Sequence, residues 1–94
     1  MSSPQHPGKI LDEEYLKPLG IDIRDLAQAI NVDEHNLNDL ITAQRSCTGD
    51  MALRLAKALN TKPQFWLGLQ VAYDLCCASA EHGREVYNQI SALI

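Results

Sequence analysis

Apolar residues recur at steps of three and four positions along nearly the whole chain, which is the spacing of an amphipathic α-helix. No segment alternates apolar and polar residues for long enough to indicate a β-strand. A chain of 94 residues is long enough for one hydrophobic core and too short for two. The pattern therefore predicts a single all-α domain over residues 1–94, built as a bundle of five or six helices.

Residues that start and stop helices divide the first 60 positions into four predicted helices. Pro7 followed by Gly8 opens the first helix, and Pro18 with Gly20 ends it. Each of the next three helices follows a residue whose side chain can cap a helix: Asp22, Asp33 and Thr48. The second and fourth helices end at residues that tolerate the left-handed conformation: Asn31 and Asn60.

The second and third helices, with the turn between them, form a candidate helix-turn-helix over residues 22–43. Ala27 is small enough to let the two helices cross closely, and Val32 fills the turn. Leu37 and Leu40 hold the third helix against the second, which leaves its opposite face free to enter a DNA major groove. The spacing alone is equally compatible with a helical hairpin that has only a structural role.

The carboxyl-terminal third, residues 63–94, is predicted to form two more helices. Pro63 suits the first turn of the fifth helix, and Phe65, Trp66 and Tyr73 follow at core spacing, which favours a core role over a ligand pocket. A weaker sixth helix is expected after residues 79–83. Its exposed side chains predict a homodimer contact: Val86, Tyr87, Ile90 and Leu93.

The charge balance bears on possible partners. The net charge is −4, which opposes strong non-specific binding to nucleic acid. Residues 21–47 carry two basic side chains against five acidic ones: Arg24 and Arg45 against Asp22, Asp25, Asp33, Glu34 and Asp39. No apolar run approaches the roughly 18 residues needed to cross a bilayer, and residues 1–6 lack a secretory signal pattern. We therefore expect a soluble, cytoplasmic protein with no membrane partner.

Cysteine and histidine placement argues against a metalloprotein or an enzyme. The cysteines are odd in number, and the adjacent pair Cys76 and Cys77 cannot close an ordinary disulfide, so we expect buried, inert thiols. The histidines are scattered without the spacing of metal ligands, and none stands as an obvious base beside a cysteine. We expect no metal, no cofactor and no catalytic residue.

Several sequence blocks over residues 6–75, about three quarters of the chain, carry a family resemblance. They are, in order, His6-Pro7-Gly8, Ile10-Leu11, Glu13-Glu14-Tyr15-Leu16, Pro18-Leu19-Gly20, Asp50-Met51-Ala52-Leu53-Arg54-Leu55-Ala56, Phe65-Trp66-Leu67, Leu69-Gln70 and Tyr73-Asp74-Leu75. In this order they resemble the HigA family of antitoxins, which are XRE-type regulators paired with HigB toxins. The resemblance implies a lambda-repressor-like fold.

The same resemblance implies a dimer that binds its own double-stranded promoter DNA through the third helix and neutralises a small, mRNA-cleaving HigB-type toxin. The side chains that would then meet DNA are Arg24, Glu34, His35, Asn36, Asn38, Asp39, Gln44 and Arg45. An amide such as that of Asn36 can form paired hydrogen bonds to adenine, and a carboxylate can accept from the amino group of cytosine. Arg24, Gln44 and Arg45 are the candidates for phosphate contacts.

This sequence departs from the family pattern on the DNA side. Ile23 stands where the family tends to have glutamine, and residues 33–36 read Asp-Glu-His-Asn where serine, arginine and threonine are usual. Residues 43–45 read Ala-Gln-Arg in place of Gly-Lys-Arg. Acidic side chains near phosphates repel, so these departures predict weak non-specific binding. The alternative reading is a toxin-neutralising module whose helix-turn-helix has lost specific DNA binding.

Overall fold

The computed structural model describes residues 4–94, which contain helices and no strand. Residues 1–3 lie outside the described residues. The prediction that residues 1–6 lack a secretory signal pattern falls partly on them. The first helix, α1, covers residues 7–19 and consists of an α-helical turn, a π-helical stretch and a second α-helical turn: Pro7–Ile10, Leu11–Leu16 and Lys17–Leu19. The other four are α2 (Ile23–Ile30), α3 (Glu34–Ile41), α4 (Gly49–Leu59) and α5 (Pro63–Gln89). The predicted all-α fold is confirmed.

The predicted helix boundaries of the first 60 residues are confirmed with one shift. Pro18 lies inside the last turn of α1, and the helix ends at Leu19 because Gly20 takes a left-handed conformation with φ 65°. Side-chain oxygens cap the next three helices: Asp22 accepts from Arg24 N at 2.9 Å, Asp33 from His35 N at 2.7 Å, and Thr48 from Met51 N at 3.2 Å. Both predicted asparagines are left-handed: Asn31 and Asn60.

The core lies between α1, the two helices of the helix-turn-helix, α4 and the first half of α5. Its largest fully buried side chains are Trp66, Leu11, Leu37, Leu40, Leu55 and Pro7. The indole N–H of Trp66 donates to Thr61 Oγ1 at 2.8 Å, so the buried ring leaves no polar atom unsatisfied. The core prediction is confirmed for Trp66 and wrong for Phe65, which packs edge-on against Trp66 and stays 42% exposed.

The predicted break between a fifth and a sixth helix is wrong, because α5 continues without interruption from Pro63 to Gln89. Good helix formers surround Gly83, and a single glycine inside a helix costs only about 1 kcal/mol. The helix ends before Ile90, which is extended with φ −102° and ψ 131°. Ile90 and Leu93 therefore do not lie on a helical face, since the last residues are exposed and pack on none of the residues that the structure describes.

The thiols divide according to their distance from the core. Cys47 is buried, and burial raises its pKa to about 11, as expected of an inert thiol. Cys76 and Cys77 are only half-buried because α5 leaves the body of the protein near them, so the prediction of burial is wrong for this pair. Within residues 4–94, no helix is long and apolar enough to cross a membrane. The same residues contain no cluster of side chains suited to a metal ion.

Candidate nucleic-acid interface

The turn between α2 and α3 is fixed by backbone and capping hydrogen bonds. Asn31 takes φ 57° and ψ 50°, which closes α2, and Val32 N donates back to Ala27 O at 3.0 Å. Asp33 then caps α3, so only three residues separate the two helices. Ala27 and Leu37 are buried at the crossing. The arrangement is that of a helix-turn-helix, with α3 in the position of the recognition helix.

The outer face of α3 carries most of the side chains expected to read bases. Glu34, His35 and Asn38 are exposed and line one depression at the start of the helix together with Asp33. Asn36 is half-buried on the flank of this face. The structure therefore brings Glu34, His35 and Asn38 together and places Asn36 to one side, while Leu37 and Leu40 point into the core.

The basic side chains on this side of the molecule all have acidic partners within the same surface. Arg24, at the start of α2, lies 3.7 Å from Glu34. Asp39 lies 3.6 Å from His35 Nε2 and 3.8 Å from an Arg45 guanidinium nitrogen. These pairs are solvent-exposed and weakly held, so a phosphate can compete for each cation. The acidic partners lower the positive potential that the surface offers to DNA.

The loop at residues 42–46 carries the predicted phosphate contacts and contains a strained residue. Ala43 has φ 62°, a conformation that glycine adopts readily and alanine does not. The backbone N–H groups of Ala43 and Gln44 donate to Leu40 O at 3.1 Å and Asp39 O at 2.8 Å, which closes α3. Gln44 and Arg45 remain exposed beside the end of α3. The left-handed position explains why a glycine suits this place in the family pattern.

Sequence reasoning missed the role of Arg54. Its guanidinium donates to Ile30 O at 2.7 Å and to Asn31 O at 3.4 Å, and it pairs with Asp50 at 2.8 Å. Arg54 therefore satisfies carbonyl groups at the end of α2 from the side of α4. The spacing of Asp50 and Arg54, four residues apart on one helix, was the available signal, but it predicts a local ion pair and not the longer contact.

The four predicted dimer residues are all exposed, on or just beyond the last turns of α5. Val86 and Tyr87 lie on the helix, with Tyr87 82% exposed, whereas Ile90 and Leu93 follow its end. Sequence reasoning missed two further exposed side chains nearer the body of the protein, Val71 and Leu75. They are four residues apart and so lie on one face of α5, which extends the exposed apolar surface along the helix.

Comparison with known proteins agrees with this geometry. Residues 13–66, more than half of the chain, match the helix-turn-helix family. Virulence-associated protein I of Dichelobacter nodosus is 43% identical over 88 residues, which cover 94% of this chain and 80% of that protein. The structure of antitoxin GraA has a TM-score of 0.94 and 40% identity, covering 99% of this chain and 100% of its own. The structure of Pseudomonas aeruginosa antitoxin HigA with higBA promoter has a TM-score of 0.91 and 38% identity, covering 97% and 99%.

These likenesses extend over nearly the whole chain, including α5, and not over the helix-turn-helix alone. The relatives include antitoxins and helix-turn-helix transcriptional regulators. The family resemblance predicted from the sequence blocks is confirmed. The chain belongs to the XRE-type helix-turn-helix family, in the group that contains the HigA antitoxins.

Proposed function

We propose that this protein is the antitoxin of a type II toxin-antitoxin system, which represses its own promoter and neutralises a HigB-type, mRNA-cleaving toxin. It acts in the cytoplasm as a homodimer, with residues 1–94 forming one domain. The observation that carries the proposal is the exposed outer face of α3, held in place by a capped turn and a packed inner face. Support comes from the solved structure of Pseudomonas aeruginosa antitoxin HigA with higBA promoter, which is 38% identical and covers 97% of this chain.

Base reading falls to Glu34, His35 and Asn38, which share the outer face of α3, with Asn36 and Asp39 at its flanks. An asparagine amide can form two hydrogen bonds with adenine, and a carboxylate can accept from cytosine N4. Contacts to phosphates come from Arg24, Gln44 and Arg45. In a homodimer the two copies of α3 then lie about 34 Å apart, one turn of the duplex.

DNA binding is tested by fluorescence anisotropy with a labelled duplex from upstream of the protein's own gene and a scrambled duplex of equal composition. We expect preferential, saturable binding to the first duplex. Asn38→Ala should weaken it about tenfold, since a paired base contact is lost. Asn36→Ala should have the smaller effect, because Asn36 lies on the flank. Gln64→Ala, an exposed amide at the start of α5, is the matched control and should change nothing.

A second candidate function is toxin neutralisation without specific DNA binding. The ion pairs of Arg24 with Glu34 and of Arg45 with Asp39 favour it, because they occupy the cations that phosphates need. Asp39→Asn distinguishes the candidates, since it frees His35 and Arg45 and removes one negative charge. An operator-binding protein should gain about tenfold in affinity with a steeper salt dependence. Equal affinity for both duplexes before and after the substitution would support the second candidate.

Toxin neutralisation is tested in a cell-free translation reaction inhibited by the toxin encoded beside the protein's own gene. Adding the purified protein should restore translation at a one-to-one ratio of the two chains. Asn38→Ala should restore it equally well, because that substitution affects only the surface assigned to DNA. Translation that stays inhibited at a tenfold molar excess of the protein would contradict the antitoxin assignment.

A further inference from the structure

The ring of His6 is buried at the junction of three parts of the fold. It is 6% exposed, precedes α1 and packs its edge against the ring of Tyr73 on α5, with centroids 5.0 Å apart and planes at 84°. His6 Nδ1 accepts the backbone N–H of Gly8 at 3.0 Å, as an N-cap side chain does. This hydrogen bond requires an unprotonated Nδ1, so the native ring is neutral.

The backbone that His6 caps lies directly on the recognition helix. A Cβ atom at Gly8 would be 1.7 Å from Leu40 O and 2.8 Å from Ile41 Cα, so glycine is required for this approach. Leu40 and Ile41 form the last turn of α3. The start of α1 therefore presses on the carboxyl end of the recognition helix, and His6 sets the position of that contact.

The loop that follows α3 is held from both sides. The backbone carbonyl of Arg45 lies near enough to the His6 ring to act on its pKa, in the direction that raises it. At the end of the loop, Cys47 N donates to Gln70 Oε1 at 2.7 Å, and Gln70 Nε2 donates to Asp74 at 2.8 Å. Gln70 is buried, so its hydrogen bond is shielded from water. His6 and Gln70 thus fix the two edges of the segment that presents Gln44 and Arg45.

We propose that neutral His6 is a positioning residue for the DNA-binding surface: it fixes the end of α3 and the loop at residues 42–46, and protonation of its ring releases them. The inference rests on the DNA-binding function proposed above. Protonation turns Nδ1 into a donor that faces the Gly8 N–H, so that hydrogen bond is lost. Two facing N–H groups repel, so the charged ring leaves the buried junction, and its contact with the Arg45 carbonyl is lost with it. The loop then keeps its hydrogen bonds to the end of α3 and the Gln70 attachment at Cys47, but His6 no longer holds its Arg45 edge.

The surroundings of His6 act on its pKa in opposite directions. Burial lowers the pKa of His6 below its ordinary value, while the Arg45 carbonyl and the carboxylate of Asp74 act to raise it. From α1, Lys9 lines the same surface depression as His6, and the polar partner from α5 is Tyr73. The net effect keeps the ring neutral at neutral pH and lets it take up a proton only in acid.

The test compares operator binding by His6→Ala and His6→Asn with that of the unchanged side chain. All three proteins keep His35, so a pH dependence that differs between them arises from His6. Asparagine is a good N-cap and can accept from Gly8 N, but it does not titrate. At neutral pH we expect His6→Ala to bind the operator about fivefold to tenfold more weakly, and His6→Asn to bind nearly as well as histidine.

A shift to acidic pH then distinguishes the protein with His6 from the His6→Asn variant. Affinity with His6 should fall as the pH drops below about 6.5, and affinity with His6→Asn should not. A general loss of stability is controlled with Thr61→Ala, which removes the partner of the Trp66 indole far from the loop and should leave operator affinity unchanged. Equal operator affinity of His6→Ala and the parent, with both folded, would overturn the proposal, as would parallel pH profiles for His6 and His6→Asn.

Amide hydrogen exchange tests the positioning role of His6 without DNA, so that role can be judged separately from the proposed DNA binding. Amide hydrogen exchange at Ala43, Gln44 and Cys47, whose N–H groups close the loop, should speed up in His6→Ala and not in Thr61→Ala. If the parent binds no duplex, the proposed DNA binding fails, and exchange alone decides whether His6 holds the loop. Unchanged exchange at these three amides in His6→Ala would then refute the positioning role.

Discussion

The two halves of α5 carry the same helical spacing of apolar residues and have opposite surroundings. Residues 63–77 contribute the buried Trp66 and Gln70 and pack against α4 and α1. From residue 78 onward every side chain is exposed except at Gly83, which is half-buried. Helical periodicity thus reports that a face is apolar, but it does not report what covers that face. In the first half the cover is the protein's own core, and in the second half we propose that it is another copy of the chain.

The polar contacts of the two halves of α5 also differ. In the first half, Gln70 uses both ends of its amide, accepting from Cys47 N and donating to Asp74. In the second half, the only carboxylate–imidazole contact found among the described residues joins the neighbours Glu81 and His82 at 3.5 Å, both exposed. Buried, fully satisfied polar groups specify one arrangement, whereas exposed pairs contribute little. The first half is therefore positioned by the fold, and the second is free to be positioned by a partner.

The largest expected effect comes from removing the buried ring of Trp66 from the covered half of α5. Trp66→Ala should lower the free energy of unfolding by about 3–5 kcal/mol, because it removes a fully buried aromatic ring. Urea unfolding followed by circular dichroism measures the loss, which should not depend on protein concentration. Tyr87→Ala is the matched aromatic substitution in the exposed half, and its smaller effect should shrink on dilution, as mass action requires of a dimer contact. A dilution-independent loss of similar size for Tyr87→Ala would show that Tyr87 belongs to the protein's own core.

A charged substitution tests directly whether the exposed half of α5 is a dimer contact. Val86→Glu should weaken self-association at least about tenfold, because an unpaired carboxylate in an apolar interface is costly. Sedimentation equilibrium measures the monomer-dimer constant, and circular dichroism should report unchanged helix content. Asn88→Glu adds the same charge on the opposite side of the helix and serves as the control. If both substitutions, or neither, shift the constant, then the face that carries Val86 is not the dimer contact.

Local signals in the sequence predicted the covered part of the fold well. Capping by Asp33 and the left-handed Asn31 depend on residues a few positions apart, so the sequence alone specifies them. The continuous α5 was not predicted, because Gly83 and Ser79 lower helix propensity without setting a boundary. The helix persists through them by the cooperativity of its neighbours.

The candidate DNA surface was only partly predictable. Spacing on α3 placed His35 and Asn38 on its outer face, as the structure has them. The partners of Arg24 and Arg45 depend on how α2, α3 and the following loop meet, and pairs between different elements leave no mark in a local pattern. For the same reason no local pattern indicates that His6 lies against Tyr73 and near the Arg45 carbonyl.

Acid should destabilise the protein through His6, which packs against Tyr73 in the covered half of α5. The pKa of His6 is lowered by burial, so the unfolded chain binds a proton more readily than the folded protein does. The stability that neutral His6 contributes is complete above about pH 6.5 and is lost as the pH falls below that value. Thermal unfolding across this range should show a His6-dependent decline that His6→Asn removes. His82→Asn, an exposed histidine on the second half of α5, should leave the decline in place.

The smallest effect tests the strained turn that ends the recognition helix. Ala43→Gly should raise the free energy of unfolding by about 0.5–1 kcal/mol, because φ 62° is unfavourable for alanine and open to glycine. Ala80→Gly makes the same replacement inside the exposed half of α5, where glycine costs up to about 1 kcal/mol. Differential scanning calorimetry should therefore give shifts of opposite sign for the two substitutions. A lower melting temperature for Ala43→Gly would show that residue 43 is not strained in solution, because glycine would then contribute only added freedom to the unfolded chain.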